Sequence, residues 1–273
     1  MSEEPLYPKI VVGFADTESG EDARAMGERL VEADGGELEV LHFEKGSPAA
    51  RLREMAERGD ADLIVLGSTH HAAFGSVAPG SVAEQLLKGT PARLLIAPRG
   101  FARARAMREA QATGEEAADV PRDHPLPFVR DELRVIAVGF NGSVESRVAL
   151  DEATVLARKF GATIRVVAVA EPVPPLVGPA QAVPAPPLAF DLQSLLHEAC
   201  EALPSEVRAL PVFERGDPVE KLLERAGEGV DLLILGSRGF GPVMRAMVGS
   251  VSARLIRKAP CSVMIVPRPA QAR

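Results

Sequence analysis

The stretch LLILGSRGFGPVMRAMVGSVSARLIRK at residues 232–258 begins as a short apolar run and then becomes rich in glycine. The run that ends at Gly236 is typical of a strand buried on both faces of a sheet. Gly239 follows in the loop, and Gly249 precedes Ser250 where a helical pattern starts. Glycine lets backbone N–H groups approach a ligand closely, and the free N–H groups of a helix start favour anions. The stretch therefore predicts a strand, an anion-binding loop and a helix in succession.

The same pattern occurs earlier, as LIVLGSTHHAAFGSVAPGSVAEQLLK at residues 63–88, with His70 at the place of the loop glycine. Residues 62–99 align with 231–268 at a constant offset of 169, whereas the openings of the two copies align at an offset of 126. The first copy has thus lost about 43 residues after its first helix. We expect two modules, at 1–100 and 133–273, joined by a linker at 101–132.

Strand-like and helical patterns alternate through both copies, which predicts an α/β fold with open parallel sheets of the flavodoxin or Rossmann type, in the order 3-2-1-4-5. The first module lacks about one βα unit, and repair of its sheet by the other copy stays open. The predicted strands are 134–140, 162–170, 206–213, 230–236 and 261–267 in the complete copy, and 9–15, 37–43, 61–67 and 92–98 in the other. The predicted helices are 143–160, 190–203, 217–227 and 249–258, and 18–33, 47–58 and 80–88.

Two stretches fall outside the repeated pattern. The linker is charged and then proline-containing, and it is interpreted as a helix over 101–118 followed by an extended segment. Residues 171–190 are too rich in proline for a regular element, and we interpret them as a loop over the site. Whether this loop acts as a lid stays open.

The composition is that of an ordinary globular protein, with 46% hydrophobic residues, 25% charged residues and a net charge of −7. The acidic balance argues against non-specific nucleic-acid binding, which depends on neutralising phosphates. No apolar run reaches the roughly 18–20 residues that span a bilayer, and no signal peptide is visible. Cys200 and Cys261 are interpreted as free thiols, and we expect a cytoplasmic protein without a membrane or nucleic-acid partner.

In such a sheet, ligands bind beyond the carboxyl ends of the strands, between the first and fourth strands. These ends are Phe140-Asn141 and Gly236 in the complete copy, and the glycine loop follows the second of them. A strand end, a glycine loop and a helix start that meet at one crevice suit a phosphate chain. The P-loop, the GxGxxG fingerprint, HExxH and GxSxG are absent from the sequence.

The spacing of Gly236, Gly239, Gly249 and Ser250 resembles the G-2x-G-9x-G-[S/T] signature of universal stress proteins. The segment AVGFNGSVESRVALDEATVLA resembles that family's opening, where Asp-Gly-Ser normally follows the first strand, and CSVMIVP resembles its fifth strand. Because both copies carry the pattern, the chain resembles a tandem universal stress protein.

The resemblance implies an adenine-nucleotide alpha-hydrolase-like topology and a bound ATP, ADP or AMP, with Mg²⁺ or Mn²⁺ on the phosphates. It places Asn141 where the family's ATP binders carry an Asp near the ribose and base, and Val169 beside the adenine. The other residues it implies lie on the phosphate side: Gly236, Arg238, Gly239, Gly249, Ser250 and Ser252. Each has a plainer interpretation: turn and capping chemistry for the loop, an Asx-turn for Asn141, and core packing for Val169.

The first copy departs from the signature. Ala15 stands at the position of Asn141, His70 replaces the loop glycine, and the lost unit is expected to remove the counterpart of Val169. We therefore expect no nucleotide in the first module. His70 and His71 are interpreted as solvated loop residues, since adjacent histidines rarely converge on a metal without further ligands.

The apolar segments at 92–98 and 261–267 both end in Pro-Arg. The family's fifth strands pair antiparallel between modules, so the resemblance implies an intramolecular pseudo-dimer through these two segments; a homodimer stays open.

The leading expectation is nucleotide binding in a stress-response or regulatory role. No positioned general base or nucleophile is found, so the protein is not expected to be an enzyme, although slow ATP hydrolysis stays open. The alternative is an interaction scaffold with a vestigial crevice; nucleotidyl transfer would need an HxGH or PP-loop motif, which is absent.

Overall fold

The computed structural model describes residues 4–43, 47–113, 132–171, 190–237 and 250–268. The first copy comprises β1 (Lys9–Phe14), α1 (Glu18–Asp34), β2 (Glu37–His42), α2 (Pro48–Arg58), β3 (Leu63–Gly67), α3 (Ser81–Leu86) and β4 (Arg93–Ala97), followed by α4 (Phe101–Thr113). The second comprises β5 (Val135–Phe140), α5 (Val144–Phe160), β6 (Thr163–Ala170), α6 (Phe190–Glu201), β7 (Ala209–Arg215), α7 (Pro218–Gly227), β8 (Leu232–Gly236), α8 (Ser250–Ile256) and β9 (Ser262–Val266).

The predicted α/β class is confirmed, and the strands of each copy pair in parallel. All nine belong to one sheet, in the order β2-β1-β3-β4-β9-β8-β5-β6-β7. The predicted extended part of the linker and nearly all of the proline-rich loop lie outside the described residues. None of the helices in the described ranges is long and apolar enough to cross a bilayer.

The two copies join through β4 and β9, the pair of segments expected to meet. They pair antiparallel, with Leu95 opposite Met264 at the centre of the register. Each of the two strands has a parallel neighbour from its own copy on its other side. The pairing removes two apolar edges that would otherwise offer unpaired backbone groups to other chains. The two predicted sheets are consequently one continuous sheet.

In the truncated copy, β2 takes the place beside the first strand that the missing βα unit would otherwise hold. β2 follows α1 directly and pairs with β1, so that Phe14 stands opposite His42. In the second copy Phe140 stands opposite Ala168 of β6. The next residues along these strands are Phe43 and Val169, which therefore hold equivalent places. The expectation that the first copy has no counterpart of Val169 is wrong, because β2 occupies the place of β6 and supplies Phe43.

The apolar core forms one layer on each face of the sheet. One layer packs under α1, α4, α5 and α6, and the other under α2, α3, α7 and α8. Both faces of the central strands are buried, and in β9 every residue is buried. This burial explains why those strands read as continuous apolar runs rather than alternating ones.

A buried polar cluster crosses the boundary between the copies. Tyr7 is fully buried and donates its hydroxyl to Glu152, which is 4% exposed on α5. The same carboxylate lies 2.7 Å from Nε of Arg93 on β4. Burial, together with the negative charge of Glu152, raises the pKa of Tyr7 well above its ordinary value, so the hydroxyl stays protonated and donates. Two residues of the first copy thus depend on one carboxylate of the second.

We predict that Glu152→Gln lowers the free energy of unfolding by about 1–3 kcal/mol, because Arg93 keeps its charge while losing its anionic partner. Urea unfolding at pH 7 measures the change. Asp151→Asn, on the exposed side of the same helix, is the matched control and should shift stability by less than about 0.5 kcal/mol. Equal midpoints for Glu152→Gln and the wild type would show that the cluster contributes nothing.

A second buried carboxylate caps the helix that leaves the first copy. Asp22 of α1 is 1% exposed and accepts hydrogen bonds from the backbone N–H groups of Gly100, at 2.8 Å, and Ala102, at 2.9 Å. Burial raises the pKa of Asp22 from 3.8 to about 6, and the two N–H donors only partly oppose this shift. The raised pKa means that stability contributed by this group is complete below about pH 4 and is lost as the pH rises through 6.

Asp22→Asn removes this titration. Between pH 4 and pH 7 the wild type should lose about 1–3 kcal/mol of stability relative to the variant, measured as the difference between their unfolding free energies at each pH. A difference between the wild type and Asp22→Asn that stays constant from pH 4 to pH 7 would contradict the raised pKa of Asp22.

Candidate functional site

A cavity of about 380 Å³ lies at the carboxyl ends of β5, β6 and β8, beside the starts of α5 and α7 and against α8. Four of the predicted site residues line it: Asn141, Val169, Gly236 and Ser252. Arg238, Gly239 and Gly249 lie outside the described residues, and of Ser250 only its backbone place at the start of α8 is described. The crevice thus forms between the first, second and fourth strands of the second copy.

One part of the lining of the cavity is apolar, and its exposed rim, at Asn141 and Glu171, is polar. The apolar wall is made by Val167, Val169, Leu222, Leu235 and Val251, and the polar groups belong to Asn141, Ser143, Glu145, Ser146, Glu171 and Ser252. An apolar wall with a few convergent polar groups is the usual form of a small-molecule site.

Several of these residues were not predicted from the sequence. Leu222 belongs to the apolar face of α7, a signal that indicates only burial. Glu145 stands in the first turn of α5, just after Asn-Gly-Ser, where an acidic residue is also explained by the helix dipole. Their place in the cavity follows from the tertiary structure.

The turn that leaves β5 holds Asn141 in a fixed orientation. Its Oδ1 accepts a hydrogen bond from the backbone N–H of Ser143 at 3.1 Å, which is an Asx-turn. Gly142 between them has a φ of 77°, in the left-handed region that favours glycine. Ser143 then caps α5 by accepting from the N–H of Ser146 at 3.2 Å. The plainer interpretation of Asn141 is therefore present, although the residue also lines the cavity.

Gly236 lacks a side chain for a reason independent of any ligand. A Cβ added there would lie 2.3 Å from the carbonyl oxygen of Glu145, because the first turn of α5 packs directly on the end of β8. Gly67 has the same relation to the carbonyl oxygen of Ser19 in the first copy, at 1.8 Å. This glycine is thus explained by helix–strand packing in both copies.

The charge of the described lining is negative. Glu145 and Glu171 contribute two carboxylates, and no cationic side chain is among the lining residues in the part of the chain that the structure describes. Arg268, which does not line the cavity, has Nη1 3.5 Å from Oε1 of Glu145. Such a wall suits an uncharged base and sugar better than a phosphate chain.

The ring of Phe43 reaches the equivalent place in the first copy. It is partly buried and lies 3.8 Å from where a Cβ on Gly13 would be. Gly139 is the equivalent residue of the second copy; the atoms nearest to a Cβ there belong to Leu235 and Leu222, and Gly139 lines the cavity.

The loop after β3 is tied down by its own hydrogen bonds. The N–H of Thr69 donates to Ala78, and that of Val77 donates to Ala259 of the other copy, at 2.9 and 2.8 Å. Arg99 donates to the carbonyl oxygens of His70 and Ala72, each at 3.2 Å. Several N–H groups that a phosphate would need are thus already used. The ring centroids of His70 and His71 lie 3.8 Å apart, with the ring planes tilted by 44°.

We predict that Gly236→Ala lowers the free energy of unfolding by about 1–3 kcal/mol in the absence of any ligand, because the new methyl group overlaps the carbonyl of Glu145. Gly227→Ala is the control, since its Cβ would meet nothing closer than Pro260, at 4.0 Å, and alanine favours the helix. Thermal unfolding distinguishes the two; unchanged stability in Gly236→Ala would mean that α5 can move away from β8.

Comparison with known proteins agrees with this architecture. The Universal stress protein family model matches residues 11–98 and 132–267. A universal stress protein of Thermus aquaticus is 31% identical over 135 residues, which are 49% of this chain and 98% of that protein. One from Mycobacterium tuberculosis is 26% identical over 241 residues, covering 86% of this chain and 74% of its own.

The solved structure of a putative universal stress protein from Pseudomonas aeruginosa covers 96% of this chain and 94% of its own, with a TM-score of 0.59 and 14% identity. That likeness concerns the fold. Since the family match falls on both copies and spans most of the sequence, the chain belongs to the universal stress protein family, in a tandem form.

Proposed function

We propose that the second module binds an adenine nucleotide, ATP or its ADP and AMP relatives, in the cavity at the ends of β5, β6 and β8, and that the protein serves a regulatory role in a stress response. The observation that carries the proposal is the cavity itself, in which Asn141, Val169, Gly236 and Ser252 meet at the place where strand order reverses. The apolar wall of Val167, Val169 and Leu222 suits a flat base, and the polar rim suits a sugar.

The phosphates would extend from this rim towards Gly236 and the start of α8. With Glu145 and Glu171 in the lining, a phosphate chain needs positive charge that the described wall does not supply. Within the described residues, no group of three or more His, Cys, Asp and Glu side chains could hold a metal ion. Mg²⁺ or Mn²⁺ therefore enters the proposal only as a cation that the phosphates carry with them.

The proposal assigns no nucleotide to the first module, because the ring of Phe43 reaches the place that corresponds to the cavity and several N–H groups of the loop at 68–80 already donate to carbonyl groups of the protein. A scaffold without a nucleotide is the second candidate. It is favoured by one observation: Gly236 and the orientation of Asn141 are both explained by packing and turn chemistry without a ligand.

Calorimetric titration with ATP, ADP and AMP, with and without Mg²⁺, tests the proposal. We expect one site per chain in the wild type. Val169→Phe introduces into the second cavity the ring that reaches the equivalent place in the first copy, and should weaken binding at least about tenfold, or 1.4 kcal/mol. Phe43→Val is the matched reverse change and should leave the affinity unchanged.

The alternatives give distinct results in the same titration. Two sites in the wild type would show that the first module binds as well. The absence of heat and of a thermal shift at millimolar nucleotide would favour the scaffold. Unfolding curves of Val169→Phe identify a loss of binding that comes only from misfolding.

A further inference from the structure

We propose that the loop at 68–80 of the first module positions helix α8 of the second module, and that it thereby sets the affinity of the second module for phosphorylated nucleotides. This inference rests on the proposed function. The positioning residue is Val77, which does not line the cavity but holds the far end of a helix that does. The first module, to which no nucleotide is assigned, would in this way act on the nucleotide site of the second.

Val77 joins the loop to the end of α8. Its backbone N–H donates to the carbonyl oxygen of Ala259 at 2.8 Å, and its side chain is 1% exposed, in the same apolar layer as Leu255 and Ile256. The N–H of Ala259 donates in turn to the carbonyl oxygen of Leu255 at 2.9 Å, so the residue that Val77 holds belongs to the closing turn of the helix. Because a buried backbone hydrogen bond is costly to leave unmade, this contact has a fixed geometry.

An ion pair on the surface links the same end of the helix to the first module. Arg257, directly after α8, has Nη2 3.1 Å from Oε1 of Glu84 on α3. Both side chains are exposed, so the pair adds little stability by itself. It nevertheless offers a way to disturb the end of α8 without changing the core.

The loop is fixed to the first module on both sides of Val77. The N–H of Arg99, just after β4, donates to the carbonyl oxygen of Ser76 at 3.1 Å. The hydroxyl of Ser68 accepts a hydrogen bond from the N–H of Ala78 at 3.2 Å. The two chain neighbours of Val77 are therefore held by the ends of β3 and β4, and the position of Val77 is set by the sheet of the first module.

The opposite end of α8 lines the cavity. Val251 and Ser252 are among the lining residues, and they lie in the first turn of a helix that ends at Ile256. A helix of this length spans about 10 Å and its hydrogen bonds run along the axis, so it moves as one body. A shift at the end that Val77 holds is consequently transmitted to Ser252. In the proposed function the phosphates extend towards this end of α8, whereas the base packs elsewhere on the apolar wall.

Calorimetric titration of the full chain with ATP and with adenosine tests the inference, because adenosine has the base and the sugar but lacks the phosphates. We expect Val77→Ala to weaken ATP binding about fivefold and to leave adenosine binding within about twofold of the wild type. Val12→Ala is the matched control, since it removes the same atoms from a buried side chain of the first module in the apolar layer on the opposite face of the sheet. It should lower stability without changing the ratio of the two affinities.

A surface variant provides a second test that leaves the core intact. Glu84→Arg places a positive charge beside Arg257, and it should weaken ATP relative to adenosine about threefold. Glu54→Arg, at an exposed position of α2, makes the same change in net charge away from α8 and should leave the ratio unchanged. This control accounts for the general attraction of added positive charge for ATP.

Equal losses of ATP and adenosine affinity in Val77→Ala, or a ratio that Val77→Ala leaves unchanged, would overturn the inference while nucleotide binding itself stands. If Val77→Ala does not fold, the ratio in Glu84→Arg compared with that in Glu54→Arg decides in the same way. A wild-type protein that binds neither ligand would overturn the proposed function, and this inference with it.

Discussion

The antiparallel pairing of β4 with β9 is the interaction on which the rest of the structure depends. It joins a four-stranded and a five-stranded parallel sheet into one sheet. The junction between β4 and β9, called the seam below, buries Leu95 on one strand and Met264 on the other. An unpaired apolar edge would expose backbone donors and acceptors to any other chain. Pairing within one chain avoids the translational entropy cost that a dimer of separate modules would carry.

The polar groups at this seam make the pairing specific. A hydrophobic strand edge can slip in register, whereas Glu152 satisfies Tyr7 and Arg93 only when the two copies stand in one arrangement. Buried charges add little net stability, since their desolvation offsets much of the attraction. Their effect here is to penalise an alternative arrangement in which Glu152 stays buried without Tyr7 and Arg93.

The two copies act as internal references for each other. Gly67 and Gly236 are both required by the close approach of a helix, so a glycine at this position is not evidence for a bound ligand. Phe43 and Val169 hold equivalent places, yet the ring of one reaches into its crevice and the other lines an open cavity. The copies also differ in size, since the second has the additional unit of α6 and β7.

The sequence by itself determined the duplication and the α/β class, because buried strands produce continuous apolar runs and a constant offset exposes a repeat. It also pointed to Asn141 and Gly236 through their places at strand ends. Val169 and the two segments that pair between the copies were expected from the resemblance to universal stress proteins. Only the tertiary structure decided that β2 stands where β6 stands in the other copy, since the apolar sequence of a strand does not specify which strand it pairs with. The cavity that Asn141 lines also depended on tertiary structure, because the ends of β5, β6 and β8 and the starts of α5 and α7 meet only in the folded sheet.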